Sequence, residues 1–125
     1  MQRMFLVGAY LLVAITFTQA EDAKDMAAMG WGSSSTCAEF ANMYRGDPQL
    51  AEEHFFNWAQ GFMSGLNFAA IGRTGMSMNM GSMSTDQQER AIRAYCNEHP
   101  LANYIDAVLD LYSRFSLNKP VQKSN

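Results

Sequence analysis

The feature that most constrains the fold is a long, largely apolar helical stretch near the middle of the chain. Residues 57–69 read NWAQGFMSGLNFA, and the surrounding positions continue the same character. Polar residues recur at helical spacing along one narrow stripe, at Glu53, Asn57, Gln60, Ser64 and Asn67. The other positions are apolar or small, so a helix formed here needs cover on most sides. The pattern predicts that the other helices pack around this central helix.

Small residues also lie four apart on one face of this helix, at Gly61, Gly65 and Ala69. A glycine inside a helix costs about 1 kcal/mol relative to alanine, so repeated glycines need a compensating contact. The spacing predicts that a neighbouring backbone packs closely against this face.

Start and stop signals place the first two helices. Thr36 and Glu39 have the spacing of a capping box, which begins a short helix that ends at Gly46. Asp47 supplies the next N-cap, and Pro48 occupies the first helical position. This second helix contains the central stretch, and we expect it to end near residue 71.

Two further helices follow residues 72–83. Ser84 or Thr85 caps the third, which we expect to direct Ala91, Ile92, Tyr95 and Cys96 inward and Glu89, Arg90 and Arg93 outward. The residue before a proline avoids the helical region, so this helix ends at His99. The fourth, from Leu101 to about Ser116, has one apolar stripe: Leu101, Tyr104, Ile105, Val108, Leu109, Tyr112 and Phe115. We find no strand pattern. The predicted fold is all-α, a single small domain of about four helices packed around a long central helix and stapled by one disulfide.

The first 20 residues have the features of a secretory signal peptide. Arg3 precedes an apolar run over 4–17, and Ala20 is suited to cleavage. The run is shorter than the roughly 20 apolar residues of a spanning helix, so we expect no stable membrane insertion after signal removal and a periplasmic or secreted location. The predicted division is a signal peptide (1–20), a flexible N-terminal arm (21–35) in which Trp31 is the residue suited to docking, the helical domain (36–117) and a flexible tail (118–125).

The charge of the mature chain excludes some partner classes. Cleavage after Ala20 leaves 125 − 20 = 105 residues and removes one of the nine lysines and arginines, so the net charge is 8 − 12 = −4. This length suits one compact domain. An acidic chain without a basic block is not expected to bind nucleic acid or anionic lipid.

Cys37 and Cys96 are the only cysteines. In an exported protein an even pair is typical of a disulfide. Closing a loop of about 60 residues stabilises a fold by about 4 kcal/mol in the chain-entropy model. A redox site needs Cys-x-x-Cys or a lone activated thiol, and the sequence has neither. We therefore predict a structural disulfide between these two residues.

Methionines give residues 72–83 an unusual composition. The segment is rich in glycine, serine and methionine and lacks a periodic apolar face. One hypothesis is a Cu(I) site, because thioethers are soft ligands, although the segment contains no cysteine or histidine. A second is an adaptable contact loop that touches a partner or the domain's own surface, and a third is an ordinary connector. The residues concerned are Met76, Met78, Met80 and Met83.

The two histidines are the candidate general bases near neutral pH. His54 follows Glu53 on the central helix, near its solvent edge, and His99 ends the third helix, where a cation meets the negative end of the helix dipole. Neither accompanies a serine or cysteine nucleophile in a recognisable setting, and no metal-binding histidine pair is present. The sequence predicts no catalytic site, no cofactor and no metal site.

Two short motifs accompany the cysteine pair. One is W-x-x-G-F-x-x-G in the central helix, and the other is Y-C-x-x-H-P before the last helix. Their positions are Trp58, Gly61, Phe62 and Gly65, and Tyr95, Cys96, His99 and Pro100. From about residue 36 to residue 115 the chain resembles the HdeA/HdeB family of small periplasmic stress proteins and the related immunity proteins that protect bacteria from type VI amidase effectors.

The resemblance implies a disulfide-linked helical domain that binds proteins and has no catalytic site. In the acid chaperones of this family, low pH loosens the fold and exposes apolar surface, which captures unfolding clients. Protonation of the 12 carboxylates would leave this chain strongly cationic. The methionine-rich loop departs from the family pattern.

Three functional hypotheses follow. The first is a periplasmic protein of the HdeA type that binds unfolded clients or one specific partner under stress, as an acid-stress holdase. The second is an immunity protein that inhibits a cell-wall amidase effector. The third is a copper-binding protein that uses the methionine-rich loop. Whether the polar stripe of the central helix faces water or a second copy in a homodimer stays open.

Overall fold

The computed structural model describes residues 28–118. The predicted signal peptide, residues 21–27 of the predicted arm and residues 119–125 of the predicted tail lie outside the described residues. The helices and strands are α1 (Trp31–Ser34), α2 (Cys37–Gly46), α3 (Pro48–Ala51), α4 (Asn57–Thr74), β1 (Met78–Asn79), α5 (Thr85–Glu98), α6 (Tyr104–Arg114) and β2 (Ser116–Leu117). A π-helical turn, Glu52–Phe56, joins α3 to α4, and a 3₁₀ turn, Met80–Ser82, follows β1.

The predicted fold class is confirmed, since the domain is small, mostly helical and cross-linked by the Cys37–Cys96 disulfide. The expectation that no strand forms is wrong. Strands β1 and β2 form a short antiparallel ribbon in which Met78 pairs with Leu117. The ribbon connects the segment after the central helix to the end of α6.

The predicted starts of the first three helices are confirmed, and each depends on capping groups within three residues. The Thr36 hydroxyl accepts a hydrogen bond from the amide of Glu39, whose carboxylate accepts one from the Thr36 amide. Ser84 forms the equivalent capping box with Gln87. The Asp47 carboxylate accepts from the amide at position 50, and proline follows it at the first helical position.

The central helix extends from α3 through the π-helical turn to Thr74, three residues beyond the predicted end. Gly75 ends it in the left-handed conformation (φ 70°) and donates its amide hydrogen to the carbonyl of Ile71. The π-helical turn places two consecutive aromatic residues, Phe55 and Phe56, in the core. A regular α-helix would direct neighbouring side chains about 100° apart.

Three aromatic rings lie at the centre of the core. The ring centroid of Tyr104 is 5.0 Å from that of Phe40 and 4.8 Å from that of Phe55. The disulfide lies in the same cluster and holds α2 to α5. The buried apolar residues are Cys37, Phe40, Ala51, Phe55, Phe56, Ala59, Met63, Ile92, Cys96, Tyr104, Ala107, Val108, Leu111 and Phe115.

The last helix begins later than its apolar pattern predicts. It starts at Tyr104, after Asn103, whose amide donates to the carboxylate of Asp106. Leu101 therefore precedes the helix and is 92% exposed, and Leu109 is 43% exposed, so neither belongs to the core stripe. Both residues fit the apolar period of the sequence and were therefore assigned to the buried stripe. The period alone does not determine where the helix begins or how wide its buried face is.

The segment before the disulfide-linked domain forms a helical turn against the indole of Trp58. A Cβ atom on Gly32 would lie 2.1 Å from that ring, and the Trp58 indole nitrogen donates to the carbonyl of Met29 at 2.6 Å. The ring of Trp31 lies 5.0 Å from that of His54. Residues 28–35 thus differ from the flexible arm predicted over 21–35.

Candidate functional site

Apolar side chains are exposed at the end of the molecule where the central helix finishes. Phe68 is 77% exposed, Ile71 lies one turn further along α4, and Leu117 is 63% exposed opposite Met78 in the ribbon. Met76, also exposed, lies between helix and ribbon. We call Phe68, Ile71, Met76 and Leu117 the distal surface. The expectation that other helices cover most of the central helix is therefore wrong for its last two turns.

Asn67 connects the helix to the ribbon beneath this surface. Its side-chain oxygen accepts hydrogen bonds from the Met78 amide at 2.9 Å and from the Tyr112 hydroxyl at 2.7 Å. Its side-chain nitrogen donates to the Met78 carbonyl at 2.9 Å. The side chain thus pairs with Met78 as a neighbouring strand would. The sequence placed Asn67 in the polar stripe but gave no sign that this residue holds the following loop in place.

The methionine-rich segment packs mainly on its own domain. Met78, Met80 and Met83 are half-buried against the core, whereas Met76 is exposed. Gln88 donates its side-chain amide to the carbonyls of Met80 and Met83, both at 3.0 Å. Of the three sequence hypotheses, this geometry is the one expected of a loop that contacts the domain's own surface.

Gln88 is a structural residue that the sequence analysis missed. It is the buried polar residue of α5, and its side-chain oxygen has no hydrogen-bond partner among residues 28–118. Its spacing to Ile92 and Cys96 placed it on the apolar face of that helix. A polar residue on such a face is a signal for a buried amide that binds backbone groups.

The glycines of α4 face outward. Nothing lies within 4 Å of a Cβ atom added to Gly61 or Gly65, and Ala69 is also exposed. The prediction of a backbone packed against this face is therefore wrong. The helix tolerates the glycines without the compensating contact that their cost led us to expect.

The motif residues occupy two separate regions. Trp58 and Phe62 stack in parallel with ring centroids 5.1 Å apart, beneath the α1 turn. At the other region the ring of Tyr95 lies 4.6 Å from that of His99. The carbonyl of Pro100 accepts a hydrogen bond from the amide of residue 38 at 3.0 Å, which satisfies a free amide at the start of α2. The second motif thus supports the helix start beside the disulfide.

The two histidines lie in different parts of the domain and with different neighbours. His54 is half-buried beside Trp31, and His99 is exposed at the end of α5. Within residues 28–118 there is no group of three histidine, cysteine, aspartate or glutamate side chains able to hold a metal ion. Over the same residues, none of the helices combines the length and apolar character needed to span a membrane.

A partly buried ion cluster connects the π-helical turn to α5. Arg93 donates to the carboxylate of Glu52, lies 3.9 Å from Glu89, and stacks over the ring of Tyr44 at 5.0 Å. Burial raises the pKa of the Glu52 carboxyl, and the nearby charge of Glu89 raises it further, whereas the hydrogen bond from Arg93 lowers it. The prediction that Glu89 and Arg93 simply face outward is thus wrong, since both are half-buried in this cluster.

The hydroxyl of Tyr104 is buried and has no hydrogen-bond partner among the described residues. Burial raises the pKa of this phenol, as do the charges of Glu52 and Glu89. The group therefore stays neutral and contributes its ring to the core.

Comparison with protein-family models, with curated proteins and with solved structures gave no match.

Proposed function

We propose that this chain is a non-catalytic, extracytoplasmic protein-binding protein whose distal surface binds apolar segments of unfolded client proteins. The exposure of Phe68 is the observation that carries this proposal. Large aromatic side chains contribute much of the free energy of protein association, so a phenylalanine that is 77% exposed, one helical turn from the exposed Ile71, marks an interaction surface.

The construction of the distal surface supports this role. Asn67 fixes the ribbon against the helix, so Leu117 and Phe68 are held on a defined framework. Ile71 adds a branched apolar side chain, and the unbranched, flexible side chain of Met76 can adapt to client segments of different sequence. A surface of this kind suits clients that share exposed apolar residues rather than one sequence.

The disulfide supports a location outside the cytoplasm, where such bonds persist. The proposed compartment is the periplasm or the secreted fraction, in agreement with the predicted signal peptide. The resemblance to HdeA-type proteins points the same way. It stays a prediction, as do the immunity and copper hypotheses, and the packing of Met78, Met80 and Met83 on the core gives the copper hypothesis no support.

Protonation of the partly buried ion cluster would not loosen the fold in acid, so an acid-activated holdase would need a different cause. The pKa of Glu52 is raised in the folded state, so folded protein binds this proton more tightly than unfolded protein does. Through this group, stability rises as the pH falls toward the ordinary glutamate pKa. We therefore propose that the distal surface binds clients at neutral pH, and that any acid activation comes from the excess positive charge.

The test is suppression of aggregation by the oxidised mature protein. Urea-unfolded malate dehydrogenase is diluted into buffers from about pH 2 to pH 7, and light scattering follows its aggregation. We expect suppression at neutral pH and a loss of suppression in Phe68→Ser. Removing one exposed aromatic contact costs about 2 kcal/mol, or roughly thirtyfold in Kd.

Leu101→Ser provides the matched control, because Leu101 is exposed outside the distal surface. This variant should suppress aggregation as well as the unmodified protein. Equal suppression by Phe68→Ser and Leu101→Ser would refute the assignment of the surface. Absence of suppression at every pH would refute the client-binding function.

A further inference from the structure

A cleft of about 350 Å³ lies between α2 and α5, beside the disulfide. Its volume is at the lower end of the range for small-ligand sites, roughly 300–1,000 Å³. Apolar groups and polar groups both contribute to its walls. The lining residues are Phe40, Ala41, Tyr44, Arg45, Arg93, Cys96 and Asn97. We call this site the α2–α5 cleft, and it shares no residue with the distal surface.

Arg93 is held in place but has unused hydrogen-bond donors. Both of its ion pairs, with Glu52 and Glu89, use the Nη1 atom. The ring of Tyr44 supports the guanidinium from below. Neither Nε nor Nη2 makes a hydrogen bond with any residue in 28–118. A guanidinium fixed by two carboxylates and a ring is pre-organised to bind a planar anion through its remaining edge.

The other polar groups of the cleft also lack strong partners. Arg45 makes a single long hydrogen bond, 3.4 Å to the side chain of Asn42, and no ion pair with the described residues. The side chains of Tyr44 and Asn97 make no hydrogen bond within residues 28–118. Two guanidinium groups, an amide and a phenol therefore converge on one site as available donors.

We propose that the α2–α5 cleft binds a carboxylate attached to a compact apolar group. The guanidinium groups of Arg45 and Arg93 would bind the carboxylate, and Phe40, Ala41 and the disulfide sulfur of Cys96 would contact the apolar part. Glu52 and Glu89 more than offset the positive charge of Arg93, so the charge that selects an anion comes from Arg45, which forms no ion pair with the described residues. Phe40 and Cys96 are buried and apolar whereas Arg45 is exposed and charged, and ligand sites in general combine an apolar lining with a few polar groups in this way.

The two sources of such a group are a free small carboxylic acid and the C-terminal residue of a protein chain. Titration of the ¹⁵N-labelled oxidised protein with phenylacetate tests the shared chemistry by NMR. We expect a Kd on the order of 1 mM, which is usual for so small a ligand. The shifted amide signals should be those around residues 41, 45 and 97, and uncharged phenylacetamide should not shift them.

Variants separate this site from a general charge effect. Arg45→Gln, at an exposed position, should weaken phenylacetate binding by about tenfold, since it removes a charged hydrogen bond. Arg90→Gln removes an exposed arginine of α5 outside the cleft and should leave Kd unchanged. Equal Kd values for the two variants would overturn the proposal, as would equal shifts with phenylacetamide.

A peptide that ends in phenylalanine distinguishes the sources. If its free acid binds at least as tightly as phenylacetate while its C-terminal amide does not bind, the site takes a chain terminus. If phenylacetate alone binds, the site takes a free small acid. Absence of any shift with either ligand up to about 20 mM, well above the expected Kd, would refute the site.

Discussion

Replacement of Asn67 by alanine should destabilise the domain more than any other single change at a half-buried polar position of the central helix. The substitution removes two hydrogen bonds to the backbone of Met78 and one from the hydroxyl of Tyr112. A hydrogen bond contributes about 1 kcal/mol net, so three set an upper value near 3 kcal/mol. These groups are half-buried, so water replaces part of the loss, and we expect about 2 kcal/mol.

Urea unfolding of the oxidised protein measures this effect. For a domain of this size, with an m value of roughly 1–1.5 kcal/mol/M, the midpoint should fall by about 1.3–2 M. Asn57→Ala is the matched control, because Asn57 lies on the same helix, is exposed and makes no side-chain hydrogen bond with the described residues. Both variants replace asparagine by alanine and so gain the same helix propensity. The difference between their free energies of unfolding therefore measures the hydrogen bonds of Asn67.

Tyr112→Phe removes one of the three hydrogen bonds and should cost about 1 kcal/mol. In the double variant with Asn67→Ala this cost should largely disappear, because the partner is already gone. A free energy of unfolding for Asn67→Ala within about 0.5 kcal/mol of the Asn57→Ala value would contradict the reasoning. The ribbon would then be held by its own pairing and not by the asparagine.

Three further predictions concern stability. Gly32→Ala should cost about 1–3 kcal/mol because its Cβ atom would overlap the ring of Trp58. Gly61→Ala, in open space, should stabilise the helix by about 0.5–1 kcal/mol, and thermal-unfolding shifts of the same sign for the two variants would contradict this packing. Reduction of the disulfide, which spans 59 residues, should lower the free energy of unfolding by about 4 kcal/mol in urea titrations, and an unchanged midpoint would contradict a structural role. The free energy of unfolding of Glu52→Gln should fall relative to that of the unmodified protein as the pH falls from about 7 to 4. Burial raises the pKa of Glu52, so protonation in this range removes the cost of a buried charge from the unmodified protein and changes nothing in the variant. The exposed Glu53→Gln is the control in urea titrations at each pH, and a relative stability of Glu52→Gln that increases as the pH falls would refute the reasoning.

Local signals in the sequence predicted the framework well. The capping boxes at Thr36 and Ser84 and the Asp47–Pro48 start depend on groups within three residues, so the chain conformation at these points is fixed by its neighbours. The disulfide followed from the cysteine count and the predicted compartment. These features need no knowledge of how the helices pack.

Features that depend on packing were not predictable in the same way. Leu109 matches the helical period but lies outside the buried face, and Gly61 matches a close-packing pattern but faces solvent. Both outcomes are decided by which elements are near in space. Arg45 and Arg93 line one cleft because α2 packs against α5 in the core, and their separation of 48 residues in sequence gives no sign of it.

The π-helical turn makes the central helix tolerant to a change of length by one residue. Such a turn closes i→i+5 hydrogen bonds and so accommodates one residue more than an α-helical turn. Deleting one residue within Glu52–Phe56 would restore the regular spacing and leave the helices on both sides in the same rotational phase. Homologous chains are therefore expected to vary in length at this turn while Ala59 and Met63 keep their places in the core.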